Sequence, residues 1–105
     1  MGLYVIEYTY DHSLDSLIHD FRPSHRTFLR DLHDRGVLVA SGFLRDAMDE
    51  GALIILHADS AMDALRILEE DPFFTAGFIV RRHARQWVPT IGDQAEDFDT
   101  EFPFS

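Results

Sequence analysis

His25 and Asp71 are the two residues of this chain whose chemistry stands out. His25 falls on one face of a predicted helix together with Phe28, Leu29 and Leu32, at the spacing i, i+3, i+4, i+7. An imidazole on a core-facing stripe must be hydrogen-bonded, because an unpaired polar group in a core costs free energy. A carboxylate bonded to one ring nitrogen fixes the tautomer and raises the basicity of the other nitrogen, which can then act as a general base. Asp71, at the end of a second predicted helix, is the natural carboxylate for that role.

Spacing alone favours a plainer interpretation, in which His25 is a hydrogen-bonded core histidine and Asp71 only ends its helix. A metal site is not predicted, because none of the six histidines forms an H-E-x-x-H motif or an i,i+4 pair and the chain has no cysteine. The sequence also lacks a glycine-rich phosphate loop, a G-x-S-x-G elbow and a dinucleotide-binding fingerprint. We therefore expect no metal and no cofactor.

The elements that must position these residues follow from runs of β-branched and aromatic residues and from helical periodicity. Strands are predicted over 3–10, 37–44, 52–58 and 78–88, and helices over 61–70 and over a stretch whose clearest part is 23–35. Pro23 suits the first turn of that stretch, where its missing N–H is not needed. Ser60 followed by Asp63 resembles a capping box for the other helix. The order β-α-β-β-α-β predicts an α+β, ferredoxin-like fold, an antiparallel sheet with both helices on one face.

Length and charge limit the number of domains and the kinds of partner. The 105 residues predict one domain over 1–92 and an acidic tail over 93–105, which has five acids and no base. The formal charge of −10 disfavours nucleic acid and anionic membranes as partners, because both attract clustered cations. The longest apolar run, 52–56, is far shorter than the roughly 20 residues that span a bilayer. With no secretory pattern at the start of the chain, a cytoplasmic location is expected.

The predicted strands are apolar on both faces, whereas a half-exposed sheet alternates apolar and polar residues. Two helices can cover only one face. We therefore expect a homodimer that buries Tyr4, Ile6 and Tyr8, or their opposite-face neighbours, against a partner sheet. The alternative is a monomer whose tail folds back over the sheet. We also expect the tail, which carries three phenylalanines, to dock on the barrel near the arginines of 81–85.

A combination of short motifs also points to a known family. These are the opening strand Leu3-Tyr4-Val5-Ile6, the segment Arg22-Pro23-Ser24-His25, Leu29, Leu32, Gly36, Ser41-Gly42, Asp71-Pro72-Phe73 and Ala76-Gly77. In this order and spacing the chain resembles the YCII-related (YciI-like) family of dimeric α+β barrel proteins over about residues 1–88. The resemblance implies that His25 and Asp71 form an active-site pair, and it favours that pair over a structural histidine. Arg22, Ser41 and Phe73 are candidate substrate-binding residues. The alternatives are a structural role for Ser41 and, for Arg22, an ion pair with Asp71 or a solvated position.

The function implied by this resemblance is that of a small cofactor-independent lyase or isomerase. His25 would abstract or shuttle a proton on a small, largely apolar ring compound held between helices and sheet, and Asp71 would orient His25. The alternative is a non-catalytic ligand-binding or accessory module with the same dimeric barrel. In both cases the expected partners are a small-molecule ligand and a second copy of the chain.

Overall fold

The structure is a computed structural model that describes residues 1–46 and 50–92. Its strands are β1 (Gly2–Tyr10), β2 (Leu38–Leu44), β3 (Gly51–Ala58) and β4 (Ile79–Trp87), and its α-helices are α1 (Asp15–Asp34), α2 (Ala61–Ile67) and α3 (Pro72–Thr75). Short 3₁₀ turns at His12–Leu14 and Leu68–Glu70 precede α1 and follow α2. The order confirms the predicted α+β fold, to which α3 adds one helical turn. The predicted tail over 93–105 and its docking lie outside the described residues.

The four strands form one antiparallel sheet in the order β2-β3-β1-β4. Side chains alternate along β1, so that Ile6, Tyr8 and Tyr10 point to the face covered by the helices and are buried there. Tyr8 lies directly opposite Ala52 of β3 and Arg82 of β4, which places these three side chains on the same face. Helix α1 packs over β2, and α2 packs over β4 and the two central strands.

Helix α1 begins earlier than the sequence predicted, and Pro23 lies inside it instead of in its first turn. A proline there leaves the carbonyl of His19 without its usual N–H partner, which normally destabilises a helix. Burial of the apolar face compensates, because Ile18, Leu29 and the His25 ring all pack into the core. Amphipathic packing, not local propensity, therefore sets the start of this helix.

A close approach between β3 and β1 fixes the position of Tyr8. A Cβ atom on Gly51 would overlap the carbonyl oxygen of Tyr8, so that only glycine lets β3 begin this near to β1. At the end of the same strand, Ser60 caps α2 as predicted, with its side chain accepting from the N–H of Asp63 at 3.1 Å. These two features set where β3 and α2 lie relative to the centre of the sheet.

The sheet face away from the helices is apolar on one half and charged on the other. Val5, Leu53 and Ile55 are half-buried there, whereas the neighbouring positions of β4 carry Arg85 and His83. Of the two faces in the dimer prediction, the one with Tyr4, Ile6 and Tyr8 is covered by the chain's own helices. The opposite face is the one that remains for a partner.

Candidate functional site

Asp71 is held by the start of α3. The 3₁₀ turn after α2 ends there, and the backbone of Asp71 is extended because the following residue, Pro72, disfavours the helical region before it. From this N-cap position, Oδ1 of Asp71 accepts a hydrogen bond from the backbone N–H of Phe73 at 3.0 Å. The side chain of Asp71 is 0% exposed. The residue predicted to end one helix thus also begins the next.

His25 reaches Asp71 from α1. Its Nδ1 lies 2.9 Å from both carboxylate oxygens of Asp71. Because a carboxylate only accepts hydrogen bonds, Nδ1 is the donor to it, and Nε2 of the neutral ring then carries the free lone pair. The ring also lies flat on Phe73, with centroids 4.0 Å apart and an interplanar angle of 1°. His25 is 6% exposed, so both its tilt and its tautomer are fixed by buried neighbours.

Tyr8 completes the polar cluster, and the sequence analysis did not identify it. Its hydroxyl donates to Oδ2 of Asp71 at 2.9 Å, between β1 and the start of α3. Burial, and next the negative charge of Asp71, raise the pKa of Tyr8 far above its ordinary value, so that the hydroxyl keeps its proton and donates. The alternation of residues on β1 placed Tyr8 on one strand face with Tyr4 and Ile6 but gave no sign of a polar partner.

A cavity of about 170 Å³ adjoins His25 at the junction of α1 with β2. The residues that line it are Tyr10, Arg22, His25, Arg26, Leu29, Ser41, Gly42, Phe43 and Ala52. Among the described residues none is hydrogen-bonded to Nε2 of His25, whose other nitrogen is engaged by Asp71. The arrangement can therefore present one basic nitrogen to a molecule in this cavity while the protein holds the opposite side of the ring.

The structure brings together all five residues singled out from the sequence, and three of them line the cavity. His25 contacts Asp71, and Arg22 and Ser41 line the same cavity. The guanidinium of Arg22 lies over the ring of Phe43, another lining residue, 5.4 Å from the ring centre. Phe73, the fifth, is 0% exposed and lies behind the imidazole, outside the lining of the cavity.

Two of the lining residues, Arg22 and Arg26, are arginines, and the charge of Arg22 acts on Tyr10, which also lines the cavity. Burial raises the pKa of Tyr10 well above its ordinary value, and the positive charge of Arg22 opposes that rise. Arg26, one turn further along α1, is exposed and lines the cavity from the solvent side.

Within residues 1–46 and 50–92, no cluster of three or more histidine, aspartate or glutamate side chains is arranged to bind a metal ion. None of the helices described there has the length and hydropathy needed to cross a bilayer.

The fold and site define an α+β protein of the ferredoxin-like type, with a buried histidine–carboxylate pair beside a cavity. The sequence model of the YCII-related domain matches residues 1–88, and the chain belongs to that family. Comparison with curated proteins found no match.

Solved structures that are similar to this chain include the two that follow. One is the 5-chloro-2-hydroxyhydroquinone dehydrochlorinase (TftG) from Burkholderia phenoliruptrix, in complex with 2,5-dihydroxybenzoquinone. It is 21% identical, has a TM-score of 0.70, and aligns over 81% of this chain and 92% of its own. The other is a protein from Agrobacterium tumefaciens, 13% identical with a TM-score of 0.52, aligned over 85% of this chain and 93% of its own. At these identities the similarity shows a shared fold.

Proposed function

We propose that the protein is a small enzyme in which His25 moves a proton on a monocyclic ring compound, as a lyase or an isomerase. One observation carries the proposal. Asp71 holds Nδ1 of His25 at 2.9 Å, and the ring borders a cavity into which Nε2 can act. A histidine that only supported the fold would need neither a free ring nitrogen nor a cavity beside it.

The proposed step needs no group beyond the substrate and the imidazole. Nε2 of His25 takes a proton from a ring C–H or O–H, and the electron pair left behind forms a C=C or C=O double bond. In the lyase form, the leaving group is on a saturated ring carbon, which in a hydroxylated aromatic ring arises when a hydroxyl proton is first moved to that carbon. Removal of a further proton then forms the new double bond as the leaving group departs as an anion with its electron pair. The imidazolium, stabilised by Asp71, releases the proton to solvent. In the isomerase form, it returns the proton to a different ring atom.

The size of the cavity and a structural relative support a ring compound. A pocket of roughly 150 Å³ holds one benzene molecule, so the 170 Å³ here suits a single ring with small substituents. The similar enzyme from Burkholderia phenoliruptrix is named for dehydrochlorination of a hydroxylated ring and was solved with 2,5-dihydroxybenzoquinone. Removal of hydrogen chloride from such a ring is an example of the lyase step above.

The other residues have supporting roles in this proposal. Arg22 and Ser41 contact the ligand from α1 and β2, where both line the cavity. Phe73 is a positioning residue, because it touches the imidazole and is itself fully buried. Tyr8 is also a positioning residue and acts through Asp71.

We also propose that a second copy of the chain covers the open sheet face. Val5, Leu53 and Ile55 give that face an apolar half on strands β1 and β3, and these strands lie at the centre of the sheet. A two-fold axis through this half would place the apolar residues of one copy against those of the other. The charged residues of β4 would then lie at the edge of the interface.

Two assays test the enzymatic proposal. One measures chloride release from 5-chloro-2-hydroxyhydroquinone, and the other measures binding of 2,5-dihydroxybenzoquinone by calorimetry. The sharpest variant is His25→Asn, since an asparagine amide can still donate to Asp71 in place of Nδ1 but has no counterpart of Nε2. We expect chloride release to fall about 100-fold or more and quinone binding to stay within a few-fold. His19→Asn, an exposed position on the same helix, is the control and should retain full activity.

Two outcomes would contradict the proposal. Wild-type chloride release in His25→Asn would mean that Nε2 takes no part. Quinone binding in the cavity without chloride release by the wild-type chain would favour the non-catalytic ligand-binding module.

A further inference from the structure

The geometry of the cavity points to an anionic ligand. We infer that Arg22 and Arg26 bind the acidic group of the ring substrate, a carboxylate or an ionised enol or phenol, beside His25. This inference rests on the proposed function, because it places that substrate in the same cavity. It adds the charge of the substrate and a residue, Arg26, that the sequence analysis did not consider.

Positive charge is concentrated at the cavity of an otherwise acidic chain. The chain has 19 acidic residues and 9 arginines, for a net charge of −10. The cavity is lined by two of those arginines and by no aspartate or glutamate. Such a concentration of positive charge in an acidic protein raises the local concentration of anions.

Neither arginine forms an ion pair in the part of the chain that the structure describes. Within the described residues, Arg35 pairs with Asp31 at 3.1 Å and Arg66 with Asp63 at 3.2 Å, one turn away on their own helices. Arg22 and Arg26 have no such partner among the described side chains. They are i,i+4 neighbours with each other, and like charges at this spacing destabilise a helix.

A third like charge extends the row, because Arg30 follows Arg26 at the same spacing. The helix therefore bears like-charge repulsion between successive turns, and two of the three arginines line the cavity. A bound anion removes that repulsion.

Arg22 is held by an aromatic ring of the cavity wall. Arg22 is half-buried, and its guanidinium lies over the ring of Phe43, 5.4 Å from the ring centre. A cation–π contact of this kind fixes the guanidinium plane without using its N–H donors, which stay available for two parallel hydrogen bonds to an oxyanion. The same guanidinium would stabilise the negative charge that develops on the ring when His25 removes a proton.

The experiment compares two ring compounds of similar size in calorimetric titrations at neutral pH. One is 2,5-dihydroxybenzoquinone, which is ionised, and the other is hydroquinone, which is neutral. We expect Arg22→Gln and Arg26→Gln each to weaken binding of the quinone by about 10- to 100-fold, the loss expected for a charged hydrogen bond. Hydroquinone binding should change less than about two-fold, since the charged bond is absent from it.

Arg30→Gln is the matched control, because it removes the same charge from the next turn of the same helix, outside the lining of the cavity. It should leave quinone affinity within about two-fold of wild type at physiological salt, where a more distant exposed charge is screened. Equal affinity of wild type and Arg26→Gln for the quinone would overturn the inference. So would an equal loss for the quinone and hydroquinone.

The binding assay also separates this inference from the proposed function. His25→Asn should bind the quinone through the two arginines even though it cannot move a proton. If turnover is absent but the arginine dependence is present, the enzymatic proposal fails and the anion site stands. If turnover depends on His25 and binding is insensitive to both arginines, the reverse holds.

Discussion

The hydroxyl of Tyr8 donates a hydrogen bond of 2.9 Å to Oδ2 of Asp71 and links the first strand to the start of the third helix. Asp71 also accepts from Phe73 N–H on Oδ1, and both of its oxygens face Nδ1 of His25. With a separate donor on each oxygen, the carboxylate cannot turn away from the imidazole without breaking a buried hydrogen bond. The orientation of His25 thus depends on Tyr8, which does not line the cavity and acts through Asp71.

Replacing Tyr8 by phenylalanine tests that dependence. Tyr8→Phe leaves Oδ2 of Asp71 one donor short in a buried site, which we expect to cost roughly 1–3 kcal/mol of unfolding free energy. It should also lower kcat for chloride release several-fold with little change in KM, since Tyr8 does not line the cavity. Urea unfolding and steady-state kinetics provide the two measurements.

Tyr4→Phe is the control for that variant, because Tyr4 is buried on the same strand and the same face, two positions from Ile6. It should change the unfolding free energy by no more than a few tenths of a kcal/mol and should leave kcat at the wild-type value. A Tyr8→Phe variant with wild-type kcat would show that Asp71 holds His25 without help.

Alkaline pH should destabilise the protein through Tyr8 and Tyr10. Burial raises the pKa values of Tyr8 and Tyr10 above the ordinary value of about 10, so the folded chain keeps both protons where the unfolded chain loses them. Folded-state pKa values that are raised give stability that is complete below about pH 10 and lost as the pH rises further. Each tyrosine contributes a slope of up to about 1.4 kcal/mol per pH unit.

Urea unfolding between about pH 9 and 11 measures this slope. Tyr8→Phe should show a shallower decline than wild type, because phenylalanine has no proton to lose. An unchanged slope would mean that Tyr8 ionises alike in the folded and unfolded chains.

The open sheet face provides a prediction about assembly. Ile55→Glu places a charge in the apolar half of that face, so we expect the variant to sediment as a 12.1 kDa monomer and the wild type as a dimer. Met62→Glu, an exposed position on α2, is the control and should remain dimeric. A wild-type chain that sediments at 12.1 kDa over a wide range of concentrations would contradict the proposed dimer.

Much of the fold was predictable because its signals are local. The alternation in β1, the Ser60 cap and the turn at Asp71 each depend on a few neighbouring residues. The start of α1 was not, since burial of Ile18 and packing of Phe21 on Phe78 outweigh the unfavourable proline that follows. A pattern in one segment carries no information about such packing against another segment.

The site was predictable only in part, for a similar reason. His25 stood out as a polar residue on an apolar stripe, and Asp71 as its carboxylate. Tyr8 and Arg26 did not stand out, because a tyrosine on a strand and an arginine on a helix are ordinary there. Their roles depend on the sheet register, which sets Tyr8 beside Asp71, and on the cavity between α1 and β2.

The central claim, that Nε2 of His25 is the basic nitrogen facing the cavity, is tested most directly by nitrogen NMR of the neutral imidazole. The account predicts that the wild-type ring carries its proton on Nδ1, bonded to Asp71, and that the unprotonated Nε2 signal shifts when 2,5-dihydroxybenzoquinone binds. In Asp71→Asn the side-chain amide can donate to Nδ1, so the proton should move to Nε2 and chloride release should fall about 100-fold or more. A wild-type ring protonated on Nε2, or an Nε2 signal unmoved by the bound quinone, would contradict the account.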